Sequence, residues 1–230
     1  MRNSRVGVLL LLLLSGLALS AQNKALDSYW AVSGKSFGPA GQFTKPAAWK
    51  PGQYVVLGTL VNGKRDSVTT TLIVRKDAEG WVIENSVIDK NGKRTVTQMC
   101  LAGYDDAMMN GDPSKVDLVW MKTLDANGKL TVTEGQSLTF VKTMMKSSYQ
   151  KMVVSVGSFT DGGAVEVPAG SFSGTNVVSS TAKVMGFTVE STTWFHPAVP
   201  VNGMVMSKSK DGKTIQQLLS FGTDGKPIIP

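Results

Sequence analysis

His196 is the only histidine and Cys100 the only cysteine in the 230-residue chain, which narrows the chemistry at once. General acid–base catalysis and zinc ligation both lean on imidazole. A zinc site would need His196, Cys100 and carboxylates, and no recognisable ligand spacing links them. One nucleophile–base pair, Cys100 with His196, stays open on composition, but neither residue sits in a nucleophile motif. Cys100 lies in the apolar run Gln98-Met99-Cys100-Leu101, which reads as a buried, inert thiol. Ser180-Thr181-Ala182-Lys183 matches the Ser-x-x-Lys pattern of penicillin-recognising acyl enzymes. That spacing works on a helix, whereas Val177–Val184 reads as a strand, where residues three apart face opposite ways. In Gly170-Ser171-Phe172-Ser173-Gly174 phenylalanine stands where a nucleophile elbow needs serine. Asp105, Asp106 and Asp112 lack EF-hand spacing and read as a solvated loop. These residues predict no catalytic site, no metal site and no cofactor.

Methionine is in excess, at 11 residues. Its flexible thioether suits both core filling and adaptable apolar surfaces. Met144 and Met145, with Trp120, Met121 and Trp194, are the candidates for lining an apolar pocket.

The elements that must position these groups are mostly strands. Asn or Asp followed by Gly-Lys occurs at 62–64, 91–93, 127–129, 211–213 and 224–226. Asx-Gly supplies the positive φ angles of tight hairpins. Between these marks lie runs rich in Val, Ile, Thr and aromatics. They predict strands over 53–60, 67–75, 81–89, 93–101, 116–124, 129–133, 151–156, 175–184, 187–195, 204–209 and 215–221. In Trp81–Ile88, Trp81, Ile83 and Val87 share one face, and Val82 and Ile88 share the other. Over 137–151, Leu138, Val141, Met145 and Tyr149 recur at steps of three and four, the spacing of an amphipathic helix. Val167–Phe172 reads as a sharp corner and Tyr104–Asp112 as a turn-like interruption. The expected fold is mainly β. An antiparallel meander forms a half-open barrel or strongly curved sheet, with one amphipathic helix as lid.

The chain opens with Arg2 and Arg5, an apolar block reaching Leu14, and the small-residue stretch Ser15–Ala21. This is the three-part layout of a secretory leader, cleaved after Ser20 or Ala21. Its apolar run is shorter than the ~20 residues of a membrane-spanning helix. The expected organisation is a signal peptide at 1–21, an irregular arm at 22–50 held by Trp30 and Trp49, and one β-rich domain at 51–230. Export places the protein in the periplasm or outside the cell, with no transmembrane segment after cleavage. Lys and Arg outnumber Asp and Glu by 24 to 17. Because the basic residues are scattered singly, they imply at most weak contact with an anionic envelope surface. No basic stripe or motif points to nucleic acid.

The C-terminal third carries Val165-Glu166-Val167-Pro168-Ala169-Gly170-Ser171-Phe172, then Thr193-Trp194-Phe195-His196-Pro197, Pro200-Val201-Asn202-Gly203-Met204-Val205 and Leu218-Leu219-Ser220-Phe221-Gly222. This order resembles uncharacterised exported bacterial proteins similar to the half-open barrel with a helical lid of the lipoprotein carriers LolA and LolB. The resemblance implies that sheet and helix enclose an apolar pocket for a lipid, acyl chain or lipoprotein, with no catalytic residues. The alternative is an envelope structural or protein-interaction domain without a small ligand.

Overall fold

The structure is a computed structural model, and it describes residues 24–105, 115–151, 153–184 and 187–230. The leader and the Asp106–Asp112 part of the interruption lie outside the described residues. A short helix α1 (Lys24–Asp27) and a 3-10 turn (Ser28–Trp30) are followed by strands β1 (Ser36–Phe37), β2 (Tyr54–Val61), β3 (Lys64–Lys76), β4 (Trp81–Asp89), β5 (Arg94–Ala102), β6 (Asp117–Leu124) and β7 (Leu130–Thr133). Helix α2 (Gly135–Lys151) precedes β8 (Val153–Val156), β9 (Thr160–Val167), β10 (Gly170–Val184), β11 (Phe187–Phe195), β12 (Met204–Ser209) and β13 (Thr214–Gly222).

The strands form one sheet in the order β1-β10-β11-β12-β13-β2-β3-β4-β5-β6-β7, with β8 and β9 also paired to β10. All pairings are antiparallel except β1 with β10. The sheet is not closed into a barrel. Four of the Asx-Gly-Lys segments turn β2 into β3, β4 into β5, β6 into β7 and β12 into β13, with Asn62, Gly63, Gly92, Gly128 and Gly212 at positive φ. The fifth, Asp224-Gly225-Lys226, follows the last strand and joins no hairpin.

Helix α2 touches both β6 and β10, which seven strands separate in the sheet order. In a flat sheet those strands would lie about 38 Å apart, and a helix of this length spans about 25 Å. The sheet must therefore curl towards the helix. Leu138, Val141 and Met145 pack on the main core cluster, which includes Val55, Leu57, Ile73, Ile83, Leu101, Leu118, Phe172, Val205 and Leu218. The same helix leaves Phe140 64% and Met144 46% exposed.

Strand β4 is buried on both faces: Trp81 and Ile83 on one side, Val82 and Glu84 on the other. The second face has its own covers. Leu26, Tyr29 and Trp30 from the arm join Val56, Val68, Ile88 and Leu219 in a separate cluster. The indole of Trp30 can lie flat only because residue 58 is glycine; a Cβ there would come 2.4 Å from Cζ2. Further along, the C-terminal tail docks on Glu84, whose carboxylate accepts the N–H groups of Ile228 (2.8 Å) and Ile229 (2.9 Å). Gln98 Nε2 donates to the Ile229 carbonyl at 2.9 Å, which fixes the same segment from β5.

Candidate functional site

The arm returns along 45–49 past the start of β4 and the end of β5, and there the structure forms a cleft. Pro46, Ala47, Ala48, Trp49 and Tyr104 wall a cavity of about 340 Å³, with Lys45 and Asp105 at its rim. The aromatic walls are fixed from several sides. Trp49 and Tyr104 stack with ring centroids 3.6 Å apart, and Trp81 meets Trp49 edge-on at 5.9 Å. The indole N–H of Trp49 donates to the Val201 carbonyl at 2.9 Å. Val201 holds a φ of +66°, a costly conformation for a β-branched residue. Its burial in the core and this hydrogen bond keep it there.

Asp105 organises the charged rim. It accepts from Lys76 Nζ at 2.7 Å and Trp81 Nε1 at 2.8 Å. The hydrogen bond from Lys76, then that from Trp81, holds its carboxyl below the usual carboxylate range. Burial, with a smaller contribution from the Asp105 charge, pushes the Tyr104 phenol up to about 12. Neither shift supplies an acid or base that exchanges protons near neutrality. The cleft combines the aromatic side chains of Trp49 and Tyr104 with the charged groups of Lys45 and Asp105.

The five pocket candidates read from the sequence do not share this cleft's lining. Met121 sits beside Met99 across the β5–β6 ladder, and both pack on the main cluster, as does Met145. Met144 points away from the core on α2. Trp120 alternates to the opposite face of β6 from Met121, under the Lys122 ammonium at 5.4 Å. Trp194 lies against the main cluster and borders a different, polar groove on β10–β12. The wall residues Trp49 and Tyr104 were visible in the sequence only as an arm anchor and as part of a turn-like stretch. Nothing in either segment's spacing brings the two together.

His196 is fully buried between backbone partners. The Ala198 N–H donates to Nδ1 at 3.2 Å, so Nε2 carries the proton and donates to the Gly38 carbonyl at 3.1 Å. With Phe172 against its ring at 5.4 Å, it fastens the arm to the 196–203 turn. Both ring nitrogens are thus committed to backbone groups, leaving none for a Cys100 thiol. Cys100 is itself buried, and that burial, followed by the Glu79 and Asp77 charges, pushes its thiol up and away from the reactive thiolate. Ser180 and Lys183 lie on strand β10 rather than on a helix. Among the described residues no three His, Cys, Asp or Glu side chains gather as a metal-holding group. No described helix is long and apolar enough to cross a membrane.

No family model matches the chain, and no curated protein matches it. Solved structures do. A protein described as exported, with a YmcC-like fold, from Bacteroides fragilis is 12% identical; the match covers 78% of this chain and all of that one, at a TM-score of 0.39. A lipoprotein from Parabacteroides distasonis, also 12% identical, is matched over 79% of this chain and its whole length, at 0.38. MucB, 10% identical at 0.33, is matched over 77% of this chain and 55% of its own length. The likeness is a weak one of fold outline, through which neither ligand nor chemistry passes to this chain.

Proposed function

We propose that the chain is an exported, non-catalytic binding or carrier domain that seats the apolar part of a lipid or acylated ligand in the Trp49–Tyr104 cleft. The observation that carries this reading is the cleft itself: about 340 Å³, walled by aromatic and small apolar side chains, with Lys45 at the lip. That volume lies at the lower end of small-ligand sites, which combine apolar walls with a few polar groups that fix orientation. A short or single acyl chain suits it, with an anionic head near Lys45. Export rests on the basic, apolar and small-residue order of positions 1–21, and the reading assigns no catalytic step. Protein purified gently from its native compartment should show, by native mass spectrometry, a bound mass that dissociates on activation and is a lipid by fragmentation. Trp49→Ala should lose that mass while keeping its β-sheet circular dichroism. A clean apo mass under several purification conditions sinks the proposal.

One observation favours a second reading, an envelope protein-interaction domain. The sheet ends at β7, an edge strand on which Leu130 and Val132 are 48% and 45% exposed. Natural edges are usually blunted against pairing, and such an edge accepts an added strand. Capture of an envelope protein that is lost on Val132→Lys, with no bound small molecule, would favour this reading over the carrier.

A further inference from the structure

A second concave site lies on the β10–β11–β12 ladder, apart from the aromatic cleft. It is a groove of about 350 Å³. The strand register sorts its floor into three rows, because directly paired residues share a face and alternate residues return to it. The first row contributes Trp194, whose ladder partners Val177 and Met206 flank it outside the groove's lining. The second is Ser179, Thr192 and Lys208. The third is Thr181 with Glu190, closed by Lys210, whose ammonium lies 2.6 Å from the Glu190 carboxylate. Successive rows are about 7 Å apart along the strands. The floor thus passes from an indole anchored on the core to a hydroxyl and charged end within about 13 Å.

We propose that this groove is a saccharide-binding site, and that it takes a sugar segment bearing an acidic group. Trp194 is a fixed platform for the apolar face of a ring. The backbone of β9 passes so close that a Cβ at Gly162 would come 2.9 Å from Trp194 Cδ1 and 2.6 Å from Thr175 Oγ1. Ser179 and Thr192 share one hydroxyl–hydroxyl contact of 3.3 Å, in which either can be the donor. A hydroxyl offers one donor and two acceptor sites, so both keep capacity for a polyol. Lys210 is compensated by Glu190, whereas Lys208 has no ion-pair partner among the described residues, and the groove carries a net positive charge. That charge selects an acidic sugar over a neutral one.

Two other occupants fit less well. The central strand β11 is paired on both sides, so an extended peptide finds no ladder edge there to join. A nucleic-acid backbone would meet the Glu190 carboxylate among only two lysines, short of a phosphate-tracking stripe.

The test is an array of neutral, uronic-acid-bearing and phosphorylated oligosaccharides, probed with the mature chain and followed by calorimetry on the best binder. The intact protein should retain acidic members over neutral counterparts, with the uronate and phosphate spots separating the two acidic sources. Trp194→Ala should weaken binding at least tenfold. Lys208→Gln should abolish the preference for acidic members while leaving ring binding measurable. Trp120→Ala and Trp49→Ala, both outside the groove, should bind as the parent does, which also separates this site from the cleft. If Trp194→Ala does not fold, Ser179→Ala at the exposed end of the hydroxyl row should still cost several-fold. Absence of binding across the whole array, or a folded Trp194→Ala that binds unchanged, overturns the proposal. Equal binding of neutral and acidic members, unaltered in Lys208→Gln, overturns the assignment of an acidic ligand.

Discussion

At Tyr104 the phenol is stacked on an indole and flanked by a carboxylate, and both surroundings disfavour the phenolate. Burial acts first and the Asp105 charge second, and together they move the phenol to about 12. In the unfolded chain it would titrate near 10. Between those two values the unfolded state has released the proton and the folded state has kept it. The contribution of Tyr104 to stability is therefore whole below about pH 10 and is lost as pH rises towards 12. An ultraviolet titration of the four tyrosines should resolve one that ionises about two units late. Asp105→Asn should bring it only partly back, because burial remains. A Tyr104 that titrates with an exposed phenol would show that the Trp49 stack is not closed, and the cleft would lose its wall. At the scale of single residues, the apolar run around Cys100 made its burial legible, whereas nothing around His196 foretold that backbone groups occupy both of its ring nitrogens.

Among the elements, helix α2 and most strands follow from periodicity, because each buries a stripe whose spacing the sequence displays. Leu138, Val141 and Met145 mark the helix; Asx-Gly turns mark four hairpins. Strand β9 is not legible in the sequence because Asp161-Gly162-Gly163 carries no apolar alternation, and it is a strand through its ladder with β10. The second cover of the sheet is not legible for a related reason. Apolar residues at Val82 and Ile88, opposite Trp81 and Ile83, already required two buried faces, but the arm has no periodicity to declare itself as a cover. The close fit of Trp30 on Gly58 makes the arm testable. Gly58→Val places a branched side chain where the indole sits, so it should lift residues 24–30 from the sheet. The loss should be about 2–5 kcal/mol, the range for emptying the site of a fully buried leucine such as Leu26, read as a lower urea midpoint. Limited proteolysis should then cut within the arm before it cuts the sheet. An unchanged midpoint and an uncut arm would mean that α1 is not a structural cover.

For the whole molecule, the open question is what keeps a curled sheet curled when its edges are not joined. Helix α2 bridges β6 and β10, which seven strands separate in the sheet order. Its ion pairs, Lys142 and Lys146 to Asp117 at 3.3 and 3.6 Å, are half-exposed. Pairs of that kind contribute roughly 0–1 kcal/mol each and fade with salt. The attachment must therefore come from Leu138, Val141 and Met145 on the core cluster. Helix α2 carries Gly135, Thr139, Val141 and Thr143, weak helix formers, and so depends on tertiary packing for its stability. Val141→Asp would set a charge against that cluster and should detach the helix and melt it. Hydrogen exchange should show amides of 138–146 approaching unstructured rates, while the doubly covered strands β2–β5 keep their protection. Asp117→Asn should produce only a small change, already absent at high salt. If protection in β2–β5 fell in step with the helix, α2 would be part of one cooperative core rather than a lid, and the sheet could not open at that side to admit a ligand.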